Sequence, residues 1–239
     1  MKSQNPLAAF AAALSLATLQ VTVSVAAPGN GAGIRPKDFT TNINNPFFPL
    51  QPGTTFIYEG FKDRSTLNDE FEVTHATTMI DGAVCRVIHD KVFVDGILEE
   101  DTFDYFAQDK DGNVWYFGED TKELDTNGNV VSTEGTWRAG VDGAQPGIIM
   151  EAHPKVGDHY FQEMAPPVAL DEATVLSLRE KVKVPFGTFT DCLETAESTQ
   201  LEPGNIEHKY YARGVGFLRG VLVKGGHERL ALVNIMTEN

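Results

Sequence analysis

From Thr54 onward the chain reads as a series of short β-type runs separated by turn residues: TTFIYEGF, EFEVTHATTM, AVCRVIHDKVFV, DTFDYFAQ, NVWYF, NVVSTEGTW, TVLSLREKVKV, TFTDCLETAE, EHKYYA, GFLRGVLV and ERLALVNI. β-branched and aromatic residues suit a pleated, half-buried surface, and runs of this length and spacing build an all-β sheet or barrel. Asp81-Gly82 and Gly225-Gly226 lie between such runs as two-residue hairpin loops, and both dipeptides tolerate the positive φ that these turns require. The expected fold is therefore all-β, a single antiparallel sheet curved into an incomplete or closed barrel, lipocalin-like or half-barrel. A two-residue turn at Asp81-Gly82 would pair Thr74 with His89 and His75 with Ile88. The two imidazoles would then lie on opposite faces and share no metal.

The domain spans residues 54–239. Residues 1–26 have the pattern of a signal peptide: Lys2, an apolar stretch over residues 7–25, and small residues at Ser24 and Ala26, with cleavage expected after Ala26. A secreted or periplasmic destination follows, without a membrane span. Residues 27–53, rich in Gly, Pro and Asn, read as an irregular lead-in. In an oxidising compartment, Cys85 and Cys192, the two cysteines of the chain, are expected to form one disulfide.

Composition excludes several classes. With 41% hydrophobic residues the chain can bury a core, and a formal charge of −15 argues against nucleic acid or anionic lipid as partner. The acidity is local, since residues 99–142 hold twelve acidic and three basic side chains. The same segment carries Tyr105, Trp115, Tyr116 and Trp137, so an aromatic and acidic cleft for a small-molecule or carbohydrate ligand is expected there.

A local repeat, Asp109-Lys110-Asp111-Gly112-Asn113-Val114, recurs as Asp125-Thr126-Asn127-Gly128-Asn129-Val130. Alternating carboxylate and amide oxygens suit Ca2+, which makes Asp109, Asp111, Asn113 and Asp120 the metal candidates. Glycine at the fourth position instead of the sixth departs from an EF-hand, and a turn stabilised by Asp and Asn is the simpler reading, with no cofactor required. His153 and His159, near Glu151, Asp158 and Glu163, form a second cluster, although its spacing matches no zinc motif and Pro154-Lys155-Val156-Gly157-Asp158 reads as a turn entering a strand.

No nucleophile elbow, phosphate loop or H-E-x-x-H is present, which favours a non-catalytic binding protein. The alternative is an extracellular hydrolase or lyase using His208 and Tyr210, or carboxylates such as Glu100 and Asp104, as acid and base. A structural secreted protein without a ligand is the third reading. Alternation along EHKYYA sets Ile206, His208 and Tyr210 on one face and Glu207, Lys209 and Tyr211 on the other. If the first set faces inward, His208 and Tyr210 line the barrel.

Two motifs in the C-terminal half, Val184-Pro185-Phe186-Gly187-Thr188-Phe189-Thr190-Asp191-Cys192-Leu193 and Tyr210-Tyr211-Ala212-Arg213-Gly214-Val215-Gly216, resemble V-P-x-G-x-F-x-x-C-L and Y-x-A-x-G-V-G of an uncharacterised family of secreted bacterial β-rich proteins. Asn45-Pro46-Phe47-Phe48-Pro49-Leu50 and the block 100–120 look similar to the same family. The resemblance implies a hairpin at the first motif, a strand start at the second, and a curved antiparallel sheet. It implies no activity.

Overall fold

Turn chemistry sets the strand boundaries. The computed structural model describes residues 35–238, so the expected signal segment 1–26 and its expected cleavage site lie outside the described residues. The lead-in supplies β1 (Phe39–Thr40), β2 (Ile43–Asn45) and β3 (Phe48–Leu50). A meander of long strands follows: β4 (Thr54–Lys62), β5 (Ser65–Ile80), β6 (Ala83–Val94), β7 (Ile97–Asp109) and β8 (Val114–Leu124). Short segments come next, namely β9 (Val130–Ser132), β10 (Trp137–Arg138), β11 (Gln145–Met150), β12 (His159–Phe161) and β13 (Glu163–Met164). The second meander comprises β14 (Asp171–Val184), β15 (Gly187–Thr199), β16 (Ile206–Ala212), β17 (Gly216–Lys224) and β18 (Glu228–Thr237).

Asp81 and Gly82 adopt φ of 47° and 79°, and Asp95 and Gly96 repeat the pair at 49° and 81°, so both hairpins turn with consecutive positive φ. The Val184↔Gly187 pair closes a hairpin over Pro185-Phe186. The loop at Gly225 is one residue longer than expected, taking in His227 before β18 begins.

β18 pairs along the length of β4 and so joins the two meanders. The opposite edges meet at residues 159–164, where β12 pairs with β14 and β13 pairs with β11. The result is a nearly closed antiparallel barrel with one unsealed seam, as the alternating pattern of the sequence implies. At the seam a Cβ on Gly147 would lie 2.2 Å from the Gln162 carbonyl oxygen, so only glycine lets the two backbones approach this closely. Pro146 and Gly147 look like strand breakers in sequence, which is why β11 was not expected. The run NVVSTEGTW instead divides into β9 and β10 because residues 133–136 form a turn, with the Thr136 N–H donating to the Thr133 carbonyl.

The register between β5 and β6 departs from the expected one. Thr77 pairs with Arg86, but Val73 pairs with Ile88 and Glu72 with His89. Residues 74–76 bulge, and the Arg86 guanidinium collects their carbonyls, donating from Nη1 to His75 O at 3.0 Å and to Thr74 O and Ala76 O at 3.4 Å. The shift of two residues preserves which face each side chain occupies. His75 meets Glu238 at 3.0 Å, whereas His89 stacks on Phe103 and contacts Asp101 at 2.6 Å.

The lead-in is not irregular throughout. Ile43, Phe47, Phe48 and Leu50 are buried, and the β2–β3 hairpin sets Phe48 against Phe106 at 5.6 Å and beside Phe56, Phe71 and Phe217. The hairpin plugs one end of the barrel. Asn45 pins it, donating from Nδ2 to Gly112 O and Glu151 O while Oδ1 accepts from the Phe47 N–H. Gln108 Oε1 accepts both the Asn44 and Asn45 N–H groups.

The disulfide expected from the cysteine count does not form. Cys85 on β6 and Cys192 on β15 are both free and buried, and β16, β17, β18, β4 and β5 separate their strands in the sheet. No bridge spans opposite walls of a barrel. Burial pushes the Cys85 thiol up to about 12, which leaves it unreactive. Two thiols should therefore react with a disulfide reagent after unfolding in the absence of reductant, and none before; a reduction-dependent shift in gel mobility would contradict the structure.

Candidate acidic chamber inside the barrel

Along β5, β6, β7 and β15 the inward face is not uniformly apolar. Leu67, Asp69, Phe71 and Val73 share one face of β5; Ile88, Asp90 and Val92 share one of β6; Glu100, Thr102, Asp104 and Phe106 share one of β7; Leu193, Thr195, Glu197 and Thr199 share one of β15. Alternation that buries Phe71 and Phe106 necessarily buries the acids two residues away. Asp69, Asp90, Asp104, Glu119 and Glu163 are each no more than 3% exposed.

A bulge brings Tyr116 and Glu119 into the same interior. Asp104 pairs with Glu119 and Phe106 with Tyr116, so the extra residue lies on β8, and Gly118 takes φ 128° there. In a regular strand, residues 116 and 119 would face opposite ways. A Cβ on Gly118 would stand 2.2 Å from the Trp137 carbonyl oxygen. Gly118→Ala should lower unfolding free energy by about 1–3 kcal/mol through this contact and the strained φ, measured by urea titration; an unchanged midpoint would show that the bulge relaxes.

The Tyr116 hydroxyl donates to Asp104 Oδ1 at 2.5 Å, and its ring meets Trp137 edge-on at 5.5 Å. Trp137 Nε1 donates to Glu163 Oε1 at 3.4 Å across the seam. Burial, and then the charge of the neighbouring Asp69, raises the Asp90 carboxyl. Both Asp69 carboxylate oxygens, Asp90 Oδ1, Asp104 Oδ2, Glu163 Oε2 and the Tyr160 hydroxyl are buried without a hydrogen-bond partner. Lys209 brings a cation near Asp69, with Nζ 2.9 Å from Glu197 Oε2 and 3.6 Å from Glu207 Oε2.

Burial dominates the electrostatics. It pushes Asp69 and Asp104 up to about 7 and Glu100 up to about 8. Burial and then the charges of neighbouring acids raise Asp90, Glu119 and Glu163 well above the carboxylate range. Burial alone would lower Lys209, but Glu197 and Glu207 outweigh it and hold the ammonium above its ordinary value.

No family model matches the chain. No curated protein matches it either. A solved structure from Parabacteroides distasonis, described as a "putative lipoprotein", aligns with 80% of this chain and 99% of its own at 12% identity and a TM-score of 0.39, a likeness that carries no argument about function. Among the described residues no helix is long and apolar enough to cross a membrane.

The residues singled out from sequence are distributed over both faces of the wall. Glu100, Asp104, Tyr116 and Trp137 enter the chamber. Trp115 does not: its Nε1 donates to Asp109 Oδ2 at 2.8 Å, and its ring lies against Phe39. Tyr105 also faces away from Asp104, donating to Asp120 Oδ2 at 2.8 Å beneath Arg138. The four aromatics therefore form no single stacking face, because neighbours in a strand point oppositely. His208 and Tyr210 stand on the outer wall, both bonded to Glu194 Oε1, at 2.9 and 2.8 Å, with Arg219 over the tyrosine ring. It is Lys209 and Tyr211 that face inward, the reverse of the arrangement in which His208 and Tyr210 would line the barrel.

The metal candidates do not converge. Asp109 accepts four hydrogen bonds, from the Asp111 and Asn113 N–H groups, Asn113 Nδ2 and Trp115 Nε1. Asp125 repeats the arrangement with Asn127 and Asn129, and these bonds draw its carboxyl down to about 2. Both copies are thus turns held by an aspartate. Asp120 is engaged by Arg138, and among the described residues no group of three or more His, Cys, Asp or Glu is placed to hold a metal ion. Glu163 lies in the chamber, while His159 pairs with Glu172 and His153 is exposed, so the cluster expected around them is dispersed.

Sequence reasoning missed Asp69, Asp90, Glu119, Glu197 and Lys209. The available signal was a carboxylate two residues from large apolar side chains within one strand, as in Leu67-x-Asp69-x-Phe71.

Proposed function

We propose that the protein is an exported ligand-binding barrel whose acidic chamber receives a small, partly apolar cation. The observation that carries this reading is the set of wholly buried oxygens of Asp104 and Glu163 that lack a donor, beside the aromatic surfaces of Tyr116 and Trp137. Buried acceptors without donors favour an occupant that supplies N–H groups or positive charge. A ligand entering as a cation displaces the protons that the raised carboxyls hold. Residues 159–164 at the seam, which carry Glu163, are the natural route of access.

Thermal unfolding with putrescine, tetramethylammonium, calcium chloride, glucose and cellobiose at matched ionic strength tests the reading. A midpoint rise with the organic cations that is lost in Asp104→Asn supports it. A rise with cellobiose alone would replace the cation by a sugar, and no selective rise with any of these solutes would overturn ligand binding in the chamber. The hydrolase or lyase alternative rests on Asp104 at about 7 and Glu100 at about 8, carboxyls poised to exchange protons near neutrality. Turnover of chromogenic glycosides that is abolished in Asp104→Asn would favour it.

A further inference from the structure

Where the lead-in plug meets the barrel rim, an open cleft of about 450 Å3 is lined by Asn45, Gln108, Asp111, His153, Lys155 and Arg213, among others. Its charge runs against that of the chain. In a protein of formal charge −15, two permanent cations and a histidine share this cleft with one carboxylate. None of the ion pairs among the described residues involves Arg213, Lys155 or His153. Lys155 forms no ion pair with nearby Glu151, whose carboxyl burial pushes up to about 7. Arg213 instead lies over the Phe47 ring, 4.3 Å from its centroid, which occupies one face of the guanidinium and leaves its N–H edge for a partner in the plane.

The segments that carry these groups are held in place. The Gly214 N–H donates to Pro46 O at 2.7 Å beside Arg213, the Lys155 N–H donates to Asp158 Oδ2 at 2.8 Å, and the Ala152 N–H beside His153 donates to Asn113 Oδ1 at 2.8 Å. The floor is equally fixed, since the Gln108 amide holds Asn44 and Asn45 of the plug, the Asn45 amide donates to Gly112 O and Glu151 O, and the two residues are 8% and 2% exposed. A cleft whose donors are oriented before binding loses little entropy when it takes a ligand.

We propose that this cleft binds a small molecule through an oxyanion group, a carboxylate or a phosphate, with Arg213 as the bidentate donor and Lys155 and His153 as further contacts. The site is separate from the acidic chamber and opposite to it in charge preference. Phe47 belongs to the plug, so the ligand would rest on the element that closes the barrel end.

Calorimetric titration of the full-length protein with citrate and with inorganic phosphate tests this. Binding of either is expected, and Arg213→Gln and Lys155→Gln should each weaken it about tenfold, the loss of one charge-assisted contact. Citrate alone would assign the carboxylate and phosphate alone the phosphate. Lys181→Gln, on the exposed outer wall, should leave the affinity unchanged. The proposal is overturned if neither anion binds at millimolar concentration, if both cleft variants bind as the parent does, or if Lys181→Gln weakens binding equally. None of these results depends on whether the chamber takes a cation.

Discussion

Lys209→Met should lower the unfolding free energy by about 3–5 kcal/mol at neutral pH, the usual penalty for removing one partner of a buried ion pair. Lys209 is 6% exposed and its ammonium lies between Glu197 and Glu207, with Asp69 and Asp171 contributing to its environment. Methionine keeps the unbranched stem and is only one atom shorter, so most of the loss would come from uncompensated charge and little from a cavity. Two controls separate these causes. Lys209→Met combined with Glu197→Gln should recover a large part of the loss, because the double variant leaves less unpaired charge. Lowering the pH should also shrink the deficit as Glu207, whose carboxyl burial raises, gains a proton. A urea titration showing less than about 1 kcal/mol of destabilisation would mean that the pair is hydrated and worth no more than a surface contact.

The protein should be more stable at pH 5 than at pH 8, the reverse of ordinary acid denaturation. Asp69, Asp104 and Glu100 have folded-state values raised to about 7, 7 and 8 by burial. In the unfolded chain the same carboxyls lose their protons near pH 4. Between those values the folded state binds more protons than the unfolded state, so stability falls as pH rises, by up to about 1.4 kcal/mol per pH unit for each group. Asp90, Glu119 and Glu163, raised further, add to the same trend. The stabilisation is complete below about pH 4 and is lost as pH climbs through about 7 to 8. Asp125, held near 2 by its turn, acts in the opposite sense and only at the acid end. The check is the urea midpoint at pH 5 and pH 8 at constant ionic strength. Glu100→Gln should flatten the slope, and a midpoint that rises with pH would show that the interior acids are ionised and compensated.

This pH dependence and the proposed cation site have one origin. A sheet closed on itself encloses whatever lies on its inner face, and here that face carries acids at the positions where a flat sheet would leave them in water. The same carboxyls that weaken the fold above neutrality are the ones that leave Asp104 and Glu163 with unmatched acceptors. A cation bound among them would raise the apparent stability most at high pH, where the acids have lost their protons.

Strand positions and most turns were legible in the amino-acid sequence because they follow from local rules. Period-2 alternation and dipeptides such as Asp81-Gly82 act over a few residues, and the structure places the long strands of the two meanders where those rules do. The aspartate-held turns at Asp109 and Asp125 were likewise legible as turns, since every partner lies within six residues. What alternation leaves open is its phase. It separates His208 and Tyr210 from Lys209 and Tyr211 but does not say which pair looks inward; that was decided by Lys209 meeting Glu197 across the β15–β16 ladder.

Bulges erased other expectations. The extra residue at Gly118 sends Tyr116 and Glu119 to one side, and the bulge at residues 74–76 moves the β5–β6 register by two. Both depend on partners distant in the chain, the Trp137 carbonyl in one case and the Arg86 guanidinium in the other. The disulfide failed for a similar reason, because a count of cysteines says nothing about which wall of a barrel each occupies. Local chemistry in the sequence thus determined an antiparallel all-β chain with named turns. Closure of the sheet, a long-range event, decided which side chains were shut away from water, and with that the acidic chamber, the plugged end and the cationic cleft at its rim.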